Sequence, residues 1–235
     1  MLVRGFWGTR QEDVDRLVGK WGSFLHSISQ RLDLPGDGWS GAAFGEIDAS
    51  SVDAVSNWVD RSISESISAD TPNLHFSISS DGLRTGVSVS VTARMGYEGS
   101  ARKILSAVVI AVDYREPLVE VPLHLSRLLE ALVSAWRPDW AEVSDRELRA
   151  MLGNSRPVSV RSPRAGYVTY LSARRAQAIA GLPSAVLSRH FERGLILEFP
   201  TANWPSVREL TLELDTRLAR SSAMEELPIG LSVWS

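Results

Sequence analysis

Cysteine is absent from the chain. That excludes a disulfide framework, a thiolate zinc site and a cysteine nucleophile, and it suits a reducing compartment. Lysine is nearly absent: two stand against 23 arginines, a bias that fits GC-rich bacterial codon usage and says nothing of mechanism. Long apolar runs are missing too. The opening MLVRGFWGTRQED holds none of signal-peptide length. The most apolar segment, Ile104 to Val112, falls far short of the roughly 20 residues a membrane span takes. A soluble, cytoplasmic protein without a membrane partner is the expectation. There is no Walker A loop, no H-E-x-x-H and no EF-hand loop, and no repeat or low-complexity tract.

What is present is ordinary in bulk. The chain has 235 residues, 44% hydrophobic and 23% charged, enough to bury a core without staples. The net charge of −3 is too small to imply nucleic-acid binding. Its distribution is uneven. Residues 1–120 carry 11 basic and 16 acidic side chains; residues 121–235 carry 14 and 12. An acidic face on the N-terminal half would suit a basic partner. Chance fluctuation is the plainer alternative.

One stretch imitates a nucleotide loop. In Pro35–Gly41, PGDGWSG, three glycines fall at the G-x-G-x-x-G spacing. A dinucleotide loop leaves a strand and enters a helix, so that the helix N-terminus meets the pyrophosphate. Here the glycines follow a helical pattern, with apolar residues at Val14, Leu17, Val18, Trp21, Phe24, Leu25, Ile28 and Leu32. The stretch reads as a helix-to-strand connection, and no cofactor is expected.

The remaining pattern predicts an α+β protein, with antiparallel sheets packed against amphipathic helices, in one body or in two similar-sized halves. The reading is a single domain over 1–235, with a softer division into 1–152 and 153–235. Leu2–Trp7 is a strand, and Thr9 with Glu12 forms a capping box. A second helix, capped at Ser50 or Ser51, buries Val52, Val55, Val59, Ile63 and Ile67. A meander follows, with a turn at Ser80-Asp81-Gly82 and its most apolar strand at Ile104–Val112. Pro122 opens a helix through Trp136. Ser144 and Glu147 cap a short one. Gly166–Leu171 is a strand, followed by a helix from Ser172. Gly181–Ser184 opens another short helix to Arg193. Gly194–Phe199 is a strand, Asn203 caps the last helix, and Ile229–Trp234 forms an edge strand.

Chemistry is hard to assemble from these residues. His26, His75, His124 and His190 never pair at metal-ligand spacing, so no metal is expected. Ser40 lacks the flanking glycine of a nucleophile elbow. The acid pairs Glu46/Asp48 and Asp113/Glu116 read as solvated faces before they read as catalytic dyads. Ten arginines and five acids lie between Arg137 and Arg193, but Tyr167 and Tyr170 are poorly spaced for a base-stacking platform. Eight tryptophans are many for this length. Trp21, Trp58 and Trp136 fall on or beside buried stripes. Trp7, Trp39, Trp140 and Trp204 sit at element ends, where they plug the core or anchor a protein partner.

Four segments together carry a resemblance: RGFWGTRQE, RPDWAEVSD, AGYVTYLS followed by AGLPS, and ERGLILEFP. In this order they resemble the immunity protein 52 family of bacterial polymorphic-toxin systems. The resemblance implies a non-catalytic protein that neutralises one cognate toxin, often a nuclease of restriction-endonuclease fold. Trp7, Gly8, Trp140, Gly166, Tyr170 and Gly194 match the family pattern. No binding residues carry over from it. From charge and position, the expected partner-binding residues are Asp37, Trp39, Glu46, Asp48, Asp53 and Asp60. Two rivals stay open: a regulatory or scaffolding domain for a peptide or nucleic acid, and a hydrolase built from scattered carboxylates with His75 or His190.

Overall fold

The computed structural model describes residues 1–8, 10–34, 38–41, 45–68, 73–82, 86–97, 105–116, 123–155, 163–200 and 203–226. The fold is α+β, with antiparallel sheet and amphipathic helices. The chain divides into two compact units. The N-terminal unit is built mainly on Phe6–Glu116, and the C-terminal unit on Met1–Gly5 with Pro117–Leu227. The division thus falls between Glu116 and Pro117. The 152/153 position considered from sequence lies within the C-terminal unit.

Strand β1 (Leu2–Trp7) contributes its first residues to the C-terminal unit and its last two to the N-terminal one. In the N-terminal unit follow β2 (Gln11–Glu12), α1 (Val14–Leu32), β3 (Trp39–Gly41), β4 (Gly45–Ile47), α2 (Val52–Ser68), β5 (Leu74–Gly82), β6 (Val87–Tyr97) and β7 (Ser106–Tyr114). The strand order is β7-β6-β5-β3-β4, all antiparallel, with β2 parallel to the end of β6. Helix α2 packs against α1 and β5. The core forms where three periodicities converge: Trp21 of α1, Trp58 of α2 and Phe76 of β5. Trp21 meets Trp58 edge-on at 4.9 Å and Phe76 at 5.1 Å. Offset and edge-on pairs of this kind add about 0.5–1.5 kcal/mol each beyond area burial.

Helix α1 follows its sequence pattern: Leu17, Trp21, Phe24, Leu25, Ile28 and Leu32 are buried. Its ends are set otherwise than expected. The cap is Asp13, whose side chain accepts from the Asp15 amide. Glu12 lies in β2 with its carboxylate buried between Arg10 and Lys20, so it cannot complete a capping box; Thr9 lies outside the described residues. At the far end Asp33 takes a left-handed conformation (φ 52°) and its amide bonds to the Ser29 carbonyl, which ends the helix before Pro35. In α2, Ser51 Oγ accepts from the Ala54 amide, as its sequence implied. The stripe is narrower than expected. Val52 and Ile67 are 74% and 52% exposed, because the buried arc runs through Val55, Trp58, Val59, Ser62, Ile63 and Ser66. The β5–β6 turn also falls later: Gly82 pairs with Val87, and Gly86 supplies a positive φ of 69°. Strand β7 spans Ser106–Tyr114, and Ile104, where the sequence placed its start, lies outside the described residues.

The C-terminal unit continues with α3 (Leu123–Trp136), β8 (Trp140–Ser144), α4 (Arg146–Ser155), β9 (Val168–Ser172), α5 (Ala173–Gln177), β10 (Leu187–Phe191), β11 (Gly194–Glu198), α6 (Trp204–Leu218) and a 3-10 turn at Ser222–Met224. Strands run in the order β10-β11-β9-β8, antiparallel throughout. Leu125, Leu128, Leu129, Leu132, Val133 and Trp136 line the buried side of α3, which packs on β8 and β9. Two expectations are corrected here. Residues 187–191 form a strand, not a helix: five cross-strand pairs with β11 outweigh the capping signal of Pro183-Ser184. Ser144 is the buried end of β8, its hydroxyl donating to Glu142, and Asp145 caps α4 instead by accepting from the Leu148 amide at 2.6 Å. Asn203 caps α6 as read, accepting from Ser206. The expected strand at 229–234 lies outside the described residues.

Two of the motif glycines, Gly166 and Gly194, are explained by close approach. A Cβ on Gly166 would strike the Val143 carbonyl oxygen, and one on Gly194 the Leu171 carbonyl oxygen and the Tyr170 ring. Both positions are packing positions.

Half-buried His124 gives the C-terminal unit a pH dependence. Burial first, and the Arg127 cation second, lower its pKa below the ordinary histidine value. The unfolded chain therefore binds the proton first as pH falls through about 6.5. The associated stability is complete above that pH and declines below it, toward the folded pKa. Urea midpoints at pH 7.5 and 5.5 should show this decline, and His124→Gln should make it smaller.

Candidate functional site

The expected partner-binding residues separate into two groups. Glu46 lies exposed on β4, and Asp48 follows it, exposed, at the turn before α2. Asp53 and Asp60 are exposed on α2. They are seven residues apart, close to two turns, and so share a face. Ser50 donates to Asp48 from its hydroxyl at 2.6 Å and its amide at 2.8 Å. Those bonds, the hydroxyl first, hold the Asp48 carboxyl below its ordinary value and keep it charged to low pH. Three carboxylates thus sit on two adjoining elements, where α2 packs on β4, and Asp48 sits on the connection between them.

Trp39 belongs to the other group. It is fully buried, and its indole N–H donates to Ser29 Oγ at 2.9 Å. It is a core residue of β3 and presents nothing to a partner as folded. Asp37 lies outside the described residues.

Most of the other tryptophans follow Trp39 inward. Trp7, Trp21, Trp58, Trp136 and Trp140 are all at most 2% exposed. Trp204 is half-buried, edge-on to Tyr167 at 5.0 Å and beneath the Arg208 guanidinium at 5.6 Å. Trp234 lies outside the described residues. Of the anchors that the sequence offered to a partner, Trp7, Trp39 and Trp140 are thus used to fill the interior.

Between β4 and α2 lies a depression of about 180 Å³, lined by Glu46, Ile47, Ala54, Asn57, Trp58 and Arg61. Its floor is apolar and aromatic, and a carboxylate and an amide stand at its sides. Another hollow runs along α6 beside Leu212, Glu213, Thr216, Arg217 and Arg220.

Four arginines of the arginine-rich middle, Arg164, Arg174, Arg175 and Arg189, are paired with acids within the C-terminal unit. Arg175 is buried, its Nε on Asp139 and its Nη1 donating to the carbonyls of Ala223 (2.6 Å) and Glu225 (3.0 Å). Arg164 pairs with Asp215 at 3.3 Å, and Arg189 with Glu130 at 2.5 Å and Glu198 at 3.3 Å. Outside that run, buried Glu142 holds Arg4. Tyr167 and Tyr170 are both buried, so neither offers a ring to a base. Burial raises both phenols, Tyr170 to about 12. Sequence spacing gave no sign of the pairs Arg175–Asp139 and Arg4–Glu142, whose partners lie 36 and 138 residues apart.

His26, His75 and His190 are exposed, on α1, β5 and β10 respectively. Asp113 and Glu116 are exposed at and beyond the end of β7. Among the described residues no three His, Asp or Glu gather closely enough to hold a metal ion. No described helix is long and apolar enough to cross a membrane.

Fold and surface together define an α+β chain with a tryptophan-filled interior and an acidic helix-and-strand face. Among solved structures, the Pseudomonas aeruginosa T6SS protein PA0821 is similar across the whole of this chain and 77% of its own, at 10% identity and a TM-score of 0.52. At that identity the likeness shows the fold alone. No family model matches the sequence, and no curated protein matches it.

Proposed function

We propose that this protein is an immunity protein that binds and neutralises a cognate bacterial toxin with a basic substrate cleft, such as a nuclease of restriction-endonuclease fold. The observation that carries this reading is the exposed set Glu46, Asp48, Asp53 and Asp60 on adjoining elements. Carboxylates on a rigid helix and strand can stand where phosphates would lie, and they steer a basic surface into encounter. The four motif segments, which resemble the immunity protein 52 family, support it. So does the fold shared with a protein of a type VI secretion system. On this reading the chain performs no chemistry, takes no cofactor and inhibits either by covering the toxin's active site or by holding the toxin in an inactive shape.

Co-expression with the toxin encoded beside it is the test. Cells carrying both should grow, and cells carrying the toxin alone should not. Cell death despite abundant folded protein would rule the proposal out.

A further inference from the structure

We infer that the depression between α2 and β4 receives one arginine side chain from the basic protein partner. The inference rests on the reading above for the identity of the partner, but the chemistry of the site stands separately. A guanidinium is flat and weakly hydrated, and it binds where a ring or apolar floor meets a hydrogen-bond acceptor. The depression supplies both. Trp58, Ile47 and Ala54 give the floor, Glu46 a carboxylate and Asn57 an amide oxygen. A carboxylate also makes the stronger, charge-assisted bond to a guanidinium.

The charge balance around the depression favours a cation. Arg61 is the one basic group among its lining residues, and it already has an interaction within the protein. Against it stand Glu46 in the depression, Asp53 and Asp60 on α2 and Asp48 on the connection before it. Exposed Ile67 follows Asp60 by seven residues and Asp53 by fourteen on α2, so the three share a face that a protein, rather than a small cation, would cover.

Two measurements test this. In the first, N-acetyl-arginine amide is titrated into the whole protein and followed by NMR. Saturable shifts of the Trp58 indole and Asn57 side-chain amide signals are expected, and they should be larger than those caused by N-acetyl-glutamate amide. Absent or unsaturable shifts at these groups would overturn the inference whether or not any toxin binds. In the second, Asn57→Arg places a guanidinium over the depression from an exposed helix position. Ser23→Arg adds the same charge on the exposed side of α1 as a control. Asn57→Arg should weaken binding to the adjacent-encoded toxin domain at least tenfold more than Ser23→Arg. Equal binding by both variants would sink the arginine site and leave the immunity reading standing. No binding by the unmodified protein would sink that reading, and the first titration would then decide the site.

Discussion

Arg175→Ala is expected to destabilise the C-terminal unit by about 3–5 kcal/mol, the usual cost of removing one member of a buried ion pair. Arg175 is 1% exposed and Asp139 is 0% exposed. With the guanidinium gone, Asp139 keeps the Ser172 hydroxyl at 3.0 Å, while Arg174, the other cation paired with it among the described residues, stands at 3.7 Å and is half-exposed. The substitution also releases the carbonyls of Ala223 and Glu225, and with them the clamp on the 3-10 turn after α6. Burial already pulls Arg175 below the ordinary guanidinium value, against the pull of Asp139, so the charge is held there by its partner. Asp139→Ala alone should cost a similar amount. The double variant should cost clearly less than the two together, because each single change strands the other's charge. Urea unfolding of all four proteins measures this. A loss below about 1 kcal/mol for Arg175→Ala would mean that the pair is solvated and locks nothing.

Trp39→Ala should cost about 3–5 kcal/mol, as large-to-small changes in a packed core do. It removes an enclosed ring from β3 and leaves Ser29 without its indole donor. Trp39→Phe retains most of the apolar volume, so it should recover the larger part of that loss. The same two variants separate packing from recognition. If Trp39 only packs, Trp39→Phe should bind the partner as the unmodified protein does. A stable Trp39→Phe protein with much weaker binding would return Trp39 to the interface.

Part of the fold was legible in the sequence. The stripe from Leu17 to Leu32 announces α1, because a strand, with its period of two, cannot keep those residues on one face. The same holds for Leu125–Trp136 in α3. Alternation at Leu74, Phe76 and Ile78 announces β5. Strand β8 escaped because all five of its residues are buried, leaving no alternation to read. Strand β10 was misread because its identity comes from pairing with β11, a tertiary fact, and its own residues, LSRHF, carry no period. Val52 and Ile67 lie at the extremes of α2, where a helix runs out of neighbours to bury against.

The exposure of the candidate acids was legible in the sequence, and the burial of the tryptophans was not. Exposed acids on a helix face are set by local geometry, so Asp53 and Asp60 lie where the pattern put them. Whether a tryptophan at an element end turns in or out depends on what packs over it. Trp39 and Trp140 turn in, so aromatic anchoring of a partner loses its support. On the reading proposed above, recognition rests on the acidic face with its depression.

Calorimetric titration of the proposed toxin partner tests that claim most directly, using the unmodified protein and the variant in which Glu46, Asp48, Asp53 and Asp60 are all lysine. All four positions are exposed, so the variant should fold. The unmodified protein should bind tightly, with affinity falling as salt rises, and the variant should lose at least roughly tenfold, about 1.4 kcal/mol. Undiminished affinity in a folded variant would contradict the role given to the acidic face.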